Sequence, residues 1–207
     1  MELFDYFRSS AAYRVRIVLN LKSIPYTQTP VNLLTADHKS ADYLALNPQG
    51  LVPTLKLDDG RLLTQSTAIL EYLETAYPET PLLPVDPYDA AKIRGWCSLI
   101  ACDIHPVNNL RVLKYLTGTL GVSEEDKLTW YHHWIREGFD ALEQQIDAAP
   151  FMAGEAITLA DVYLAPQVYN ALRFELDMSP YPKIMRSYDA CHMKPEFTTA
   201  APDANQM

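Results

Sequence analysis

Asn47-Pro48-Gln49-Gly50-Leu51-Val52-Pro53-Thr54-Leu55, followed shortly by Gln65-Ser66-Thr67-Ala68-Ile69-Leu70, is the stretch from which the fold is read. Residues 52–57 read as a strand, and Asp58-Asp59-Gly60 is a hairpin turn into a second strand at Leu62-Leu63-Thr64. Val52-Pro53 lies where a loop enters the first strand. A proline there suits a cis peptide, which exposes the Val52 main chain instead of pairing it in the sheet. An exposed edge of this kind can pair with a peptide-like ligand. Ser66 is expected to cap a helix running to about Tyr77, with Ile69, Leu70 and Leu73 on its apolar face. Hydroxyls and free N–H groups at that helix start suit a ligand carboxylate.

Upstream, residues 41–46 form a short helical turn stopped by Asn47-Pro48, and residues 24–31 read as an extended strand. Residues 12–21 carry apolar positions at Tyr13, Ile17 and Leu21 and at Val15, Val18 and Leu19, the pattern of a well-buried helix. Residues 2–6 have strand periodicity. The order is βαβ, then ββα. Downstream, Pro78, Pro81, Pro84 and Pro87 exclude a helix interior and mark a linker. Beyond it the segments 89–118, 123–148, 158–175 and 181–192 read as helices, and no strand pattern recurs. Thr158-Leu159-Ala160-Asp161 is a capping box, with Ile157 and Val162 placed as a hydrophobic staple. The tail from Thr198 onward is expected to fray. The reading is an α/β domain over residues 1–84 and an all-helical domain over residues 85–207, and clefts between domains commonly hold small molecules.

Composition narrows the function. Of the 207 residues 48% are apolar and 21% charged, as in an ordinary globular protein. The net charge is −9, unevenly spread: residues 1–84 carry seven basic and nine acidic groups, residues 85–207 ten and seventeen. That balance opposes nucleic-acid binding. The longest apolar runs, such as Ile17-Val18-Leu19, fall far short of the ~20 residues of a membrane span. The first ten residues lack the apolar core of a secretory signal. Cys97, Cys102 and Cys191 are an odd number with no metal-site spacing, so no structural metal is expected and a reducing cytoplasm is the simplest setting. All three are expected to be structural. The basic exception is Arg8, Arg14 and Arg16; Arg14 and Arg16 are expected to line a helix surface, leaving Arg8 for a small anion.

Taken together, these motifs resemble the glutathione transferase family. Arg8-Ser9-Ser10-Ala11-Ala12-Tyr13-Arg14-Val15-Arg16-Ile17 looks like the signature of its zeta class, Ser-Ser-Cys followed by Arg-Val-Arg. Residues 47–55 and 65–74 continue the match, and Cys102-Asp103-Ile104-His105-Pro106-Val107-Asn108-Asn109-Leu110-Arg111 is similar to the bacterial zeta-type isomerases. The resemblance implies a thioredoxin-like N-terminal domain, a helical C-terminal domain, glutathione as cofactor and a homodimer. It implies glutathione-dependent cis–trans isomerisation of a maleyl substrate, with the thiol as a borrowed nucleophile. The family cysteine is Ala11 here, which excludes a cysteine nucleophile at that position.

By resemblance, Ser9 is the main partner of the glutathione thiolate, with Ser10 beside it. Val52 main chain meets the cysteinyl group, Gln65 and Ser66 the γ-glutamyl end, and Gln49 and His38 the glycyl end. His105, Asn109 and Arg111 are candidates for the same cofactor, and Arg111 also for the reacting oxygen. Arg8 and Arg173 are the expected clamps for an acidic substrate, since a guanidinium fork matches a carboxylate. His132 and His133 are expected to face solvent. Maleylacetoacetate is the favoured substrate. The alternatives are maleylpyruvate, a general glutathione transferase acting on apolar electrophiles, and a non-catalytic binding module.

Overall fold

The structure is a computed structural model that describes residues 1–205. The chain forms two compact units, one of residues 1–81 together with the chain from Met193 onward, the other Leu82–His192. The first unit is built on four strands, β1 (Glu2–Asp5), β2 (Thr27–Pro30), β3 (Thr54–Lys56) and β4 (Leu62–Thr64), in the order β2-β1-β3-β4. β1 runs parallel to β2 and antiparallel to β3, and β4 is antiparallel to β3, with Leu3 paired to both Gln28 and Leu55. The parallel pair requires a crossover, which helix α1 (Ser10–Leu21) supplies. α2 (Ala41–Leu46) precedes β3, and α3 (Ser66–Ala76) follows β4. This is the expected thioredoxin-like arrangement.

α1 is the centre of this unit. Every residue from Ala12 to Leu19 is buried, Arg14 and Arg16 included. That corrects the expectation that these arginines line a surface. Arg16 Nη1 donates to Asp5 Oδ2 at 2.5 Å, its Nε donates to the Ala200 carbonyl, and its Nη2 donates to the Phe7 carbonyl. Gln28 Nε2 donates to the same Asp5 oxygen. The tail is also corrected. α9 (Pro195–Thr198) and a 3₁₀ turn (Pro202–Asn205) pack on the first unit. Phe197 is fully buried, and its carbonyl accepts the Tyr13 hydroxyl proton. Burying such a ring contributes roughly 2–3 kcal/mol, enough to hold a short terminal segment against fraying. Gln206 and Met207 lie outside the described residues. The helical unit thus ends at His192, short of the full 85–207 read from sequence.

The second unit contains α4 (Pro87–Ser98), α5 (Leu110–Gly118), α6 (Glu124–Gln145), α7 (Leu159–Arg173) and α8 (Pro182–His192). The helix expected over 89–118 is broken. A π-helical turn, Leu99–Ile104, ends α4, and a short irregular link through Pro106 leads into α5. Pro106 cannot donate to a helical ladder, and Asn109 restarts the helix as an N-cap. α7 is the core helix, buried without interruption from Leu159 to Val168. Its capping box forms as expected. Asp161 is fully buried and accepts hydrogen bonds from Thr158 N, Thr158 Oγ1 and Met152 N. Burial pushes its carboxyl up to about 6, with those donated hydrogen bonds pulling the other way. Among the described residues no helix is long and apolar enough to cross a membrane.

Candidate functional site

In the first unit the chain passes from β1 through Tyr6, Phe7 and Arg8 to the start of α1. Ser9 is the N-cap of α1: its backbone is extended, and its Oγ accepts from Ala12 N at 3.3 Å. Ser10 is the first helical residue and is buried. Ser9 therefore uses an oxygen lone pair for the cap and keeps a hydroxyl proton that can be donated to an anion. Arg8 is half-buried, its Nη2 donating to the Tyr6 hydroxyl at 3.0 Å and its guanidinium standing 4.9 Å from the Phe7 ring centroid. Aromatic contact fixes the cation without neutralising it.

The loop before β3 is held from inside. Asn47 Nδ2 donates to the Leu51 carbonyl and Thr54 Oγ1, and the Tyr43 hydroxyl donates to the same Leu51 carbonyl. Val52-Pro53 is cis, and Val52 stands outside the strand, as expected. Gly50 takes a left-handed φ of 59°, and a Cβ there would stand 2.8 Å from the His38 carbonyl and from Lys39 Nζ. Only glycine lets the 37–39 turn lie this close to the loop. Gln65 Nε2 donates to Gln49 Oε1 at 2.7 Å, so these two exposed amides form one polar rim.

Gln65, and not Ser66, is the N-cap of α3, with a φ of 68° that is strained for a residue bearing a Cβ. Ser66 is buried as the first residue of α3, and Arg14 Nη1 lies 3.5 Å from its Oγ. In the first unit Gln65 is bonded to Gln49, the His38 turn lies against Gly50 beside Gln49, and buried Arg14 stands next to Ser66. This donor set fits the ends of a small acidic peptide. Amides and a helix N-terminus suit a carboxylate, and an unpaired main chain at Val52 suits a peptide bond. Arg14 was missed as a site-supporting residue. Its signal was present in sequence as a cation inside an otherwise apolar helical stripe.

In the second unit His105 follows the π-helical turn, its N–H donating to the Ile100 carbonyl at 2.9 Å. Asn109 Oδ1 caps α5 by accepting from Arg111 N, and Arg111 is exposed in the first turn. Arg173 is exposed at the end of α7, its guanidinium 5.0 Å from the Phe174 ring centroid. Burial pushes the neighbouring Tyr131 hydroxyl up, and the positive charge of Arg173 opposes it. His132 departs from the expectation of solvent: its Nε2 lies 2.7 Å from the Phe174 carbonyl and ties α6 to the end of α7. His133 is exposed, as expected. Cys97 and Cys191 are buried, whereas Cys102, expected to be structural, is exposed on the π-helical turn.

Comparison with known proteins agrees with both units. Residues 8–76 match the family profile "Glutathione S-transferase, N-terminal domain", and residues 135–192 match "Glutathione S-transferase, C-terminal domain". The chain is 46% identical to the maleylacetoacetate isomerase of Pseudomonas aeruginosa, over 100% of this chain and 97% of that protein. It is 43% identical to the maleylpyruvate isomerase of a Ralstonia species, over 99% and 98%. Among solved structures, the maleylacetoacetate isomerase of Methylobacterium extorquens AM1 with bound malonate and glutathione superposes with a TM-score of 0.95 at 34% identity, over 100% of this chain and 98% of that one.

Proposed function

The chain belongs to the zeta-class glutathione transferase family, and from that premise we propose that it is a glutathione-dependent cis–trans isomerase converting maleylacetoacetate to fumarylacetoacetate. The observation that carries this reading is the conjunction of Ser9 at the start of α1 with the Gln49–Gln65 rim, in a chain alike over its full length to isomerases of this reaction. Glutathione, when bound, would supply a thiolate nucleophile able to add reversibly to a conjugated cis alkene, which would allow rotation about the resulting single bond.

The chain's residues make that thiolate available and orient its target. A cysteine thiol with a reference pKa of about 8.5 is mostly protonated at neutral pH. The Ser9 hydroxyl donates to the sulfur, and the positive end of α1 adds to the stabilisation, with Ser10 beside it. Lowering the pKa by about two units takes roughly 2.7 kcal/mol, within reach of a charge-assisted hydrogen bond and a helix terminus. Val52 main chain holds the cysteinyl portion. Gln65 and Ser66 hold the γ-glutamyl end, and Gln49 and His38 the glycyl end. His105, Asn109 and Arg111 add contacts from the helical unit. Arg8 and Arg173 clamp the substrate's carboxylates.

Maleylpyruvate is the second reading, favoured by the similarity to the Ralstonia enzyme. The route served in the first case is tyrosine breakdown, in a reducing cytoplasm that suits three cysteines outside any disulfide, and the working form is a homodimer. The test is to follow loss of maleylacetoacetate and of maleylpyruvate with and without glutathione. Turnover that requires glutathione, with the larger kcat/KM for maleylacetoacetate, is the expected result. A larger kcat/KM for maleylpyruvate selects the second reading. No turnover of either, with conjugation of an apolar electrophile, overturns both.

A further inference from the structure

The segment from Leu99 to Asn109 is not regular α-helix, yet α6 meets it at two places along its length. Near the N-terminal half of α6, Trp130 Nε1 donates to the Val107 carbonyl at 3.0 Å, and Asn108 Nδ2 donates to the Tyr131 carbonyl at 2.9 Å. Asn108 is itself buried. Two turns further along the helix is Gly138, also buried. A Cβ at Gly138 would overlap Ile104 Cδ1 and stand 2.5 Å from Ile104 Cγ1 and 3.0 Å from Leu99 Cδ2. Ile104 is almost fully buried and β-branched, and it lies inside the π-helical turn directly before His105. Because it is buried in close-packed surroundings, any shift that makes room for a Cβ must be taken up by its neighbours. A mid-helix glycine costs about 1 kcal/mol against alanine, so α6 bears that cost where the π-helical turn touches it.

We infer that α6 is the template that positions the His105–Asn109–Arg111 segment, with Gly138 as its positioning residue: the missing Cβ lets the π-helical turn seat at the depth that sets those three side chains for glutathione. π-helical turns are rare and concentrate at functional sites, and here the register of the turn is set by one absent carbon. This inference rests on the reading that His105, Asn109 and Arg111 touch the cofactor. Gly138 itself touches nothing that reacts.

The experiment measures glutathione affinity by calorimetry, and kcat at saturating glutathione, for Gly138→Ala in two backgrounds. In the wild-type background the Kd for glutathione is expected to rise about tenfold with kcat within threefold, since displacement of binding groups by about 1 Å is costly. In the Ile104→Ala background, where the clashing carbons are gone, adding Gly138→Ala is expected to change Kd less than twofold. A folded Gly138→Ala protein with lowered melting temperature and unchanged Kd overturns the inference, as does equal weakening in both backgrounds. Asn108→Ala adds no atom and releases the Tyr131 tether, so it covers the case in which Gly138→Ala does not fold. It is expected to raise Kd about threefold, and wild-type affinity in that variant also overturns the inference. His105→Ala and Arg111→Ala separate the two levels. If they weaken binding and Gly138→Ala does not, only the positioning role fails. If neither weakens binding, the cofactor assignment of the segment fails and the inference with it.

Discussion

The two units bury carboxylates in opposite ways. In the first, Asp5 is paired with the fully buried guanidinium of Arg16 and with Gln28, and Arg16 reaches on to the carbonyls of Phe7 and Ala200. In the second, Asp161 has backbone N–H groups and a hydroxyl as its donors, and its carboxyl is pushed up to about 6. The first arrangement is a charged network that locks β1, α1 and the chain's return segment together around the Arg8–Ser10 turn. The second is a local cap that starts a core helix. The expected site residues follow the same division. In the first unit they sit on fixed backbone: an N-cap serine, a cis peptide, a left-handed Gln65. In the second the arginines are exposed at helix ends. Under the proposed reading the thiolate-activating groups belong to the first unit, and the substrate clamps are shared between Arg8 there and Arg173 in the second.

The largest expected effect comes from breaking the charged network. Arg16→Met leaves the Asp5 carboxylate buried beside an apolar chain and is expected to cost about 3–5 kcal/mol in denaturant unfolding. Asp5→Asn with Arg16→Met is expected to recover much of that loss. Equal destabilisation by the single and double variants would remove the ion pair from the account.

Asp161 predicts an effect of opposite sign in pH. Its folded value of about 6 exceeds the unfolded 3.8, so the folded state holds the proton more tightly. Its contribution to stability is fully present below about pH 4 and is lost as pH rises through about 6. The wild type should therefore lose on the order of 3 kcal/mol relative to Asp161→Asn across that window, and nothing further above it. A difference that does not change with pH would show that the donated hydrogen bonds offset burial at this carboxyl, and one of opposite sign that they outweigh it.

The proposed reading divides the expected functional effects as well. Ser9→Ala is expected to lower kcat/KM about tenfold by removing the hydroxyl's share of the roughly 2.7 kcal/mol of thiolate stabilisation, the α1 terminus keeping the rest. Arg173→Met is expected to raise KM for the maleyl substrate about tenfold while leaving the thiol's ionisation alone. An Arg173→Met enzyme with an altered thiol pKa would blur the division between the two units.

Much of the first unit was legible in sequence because its signals are local. Alternation, turn residues and prolines fix β3, β4, α2 and the cis peptide within a few neighbours of each other. The environment of Arg14 and Arg16 was not legible. Periodicity sees a cation on a helix, but Arg16 is satisfied by a carbonyl 184 residues away. The docked tail escaped for the same reason. In the second unit the break after α4 was hidden because Leu99-Ile100-Ala101-Cys102 continues a helical pattern, and the π-helical turn is set by the close approach of Gly138. The readable sign was a glycine in the middle of α6 with no local reason to be there.

The most direct test of the account is the ionisation of bound glutathione, followed by thiolate absorbance against pH in the wild type and in Ser9→Ala. The thiol pKa is expected to be lowered by about two units in the wild type and to rise by about one unit in the variant, the α1 terminus keeping the remainder. The same lowered value in both proteins would contradict the assignment of the thiolate to Ser9.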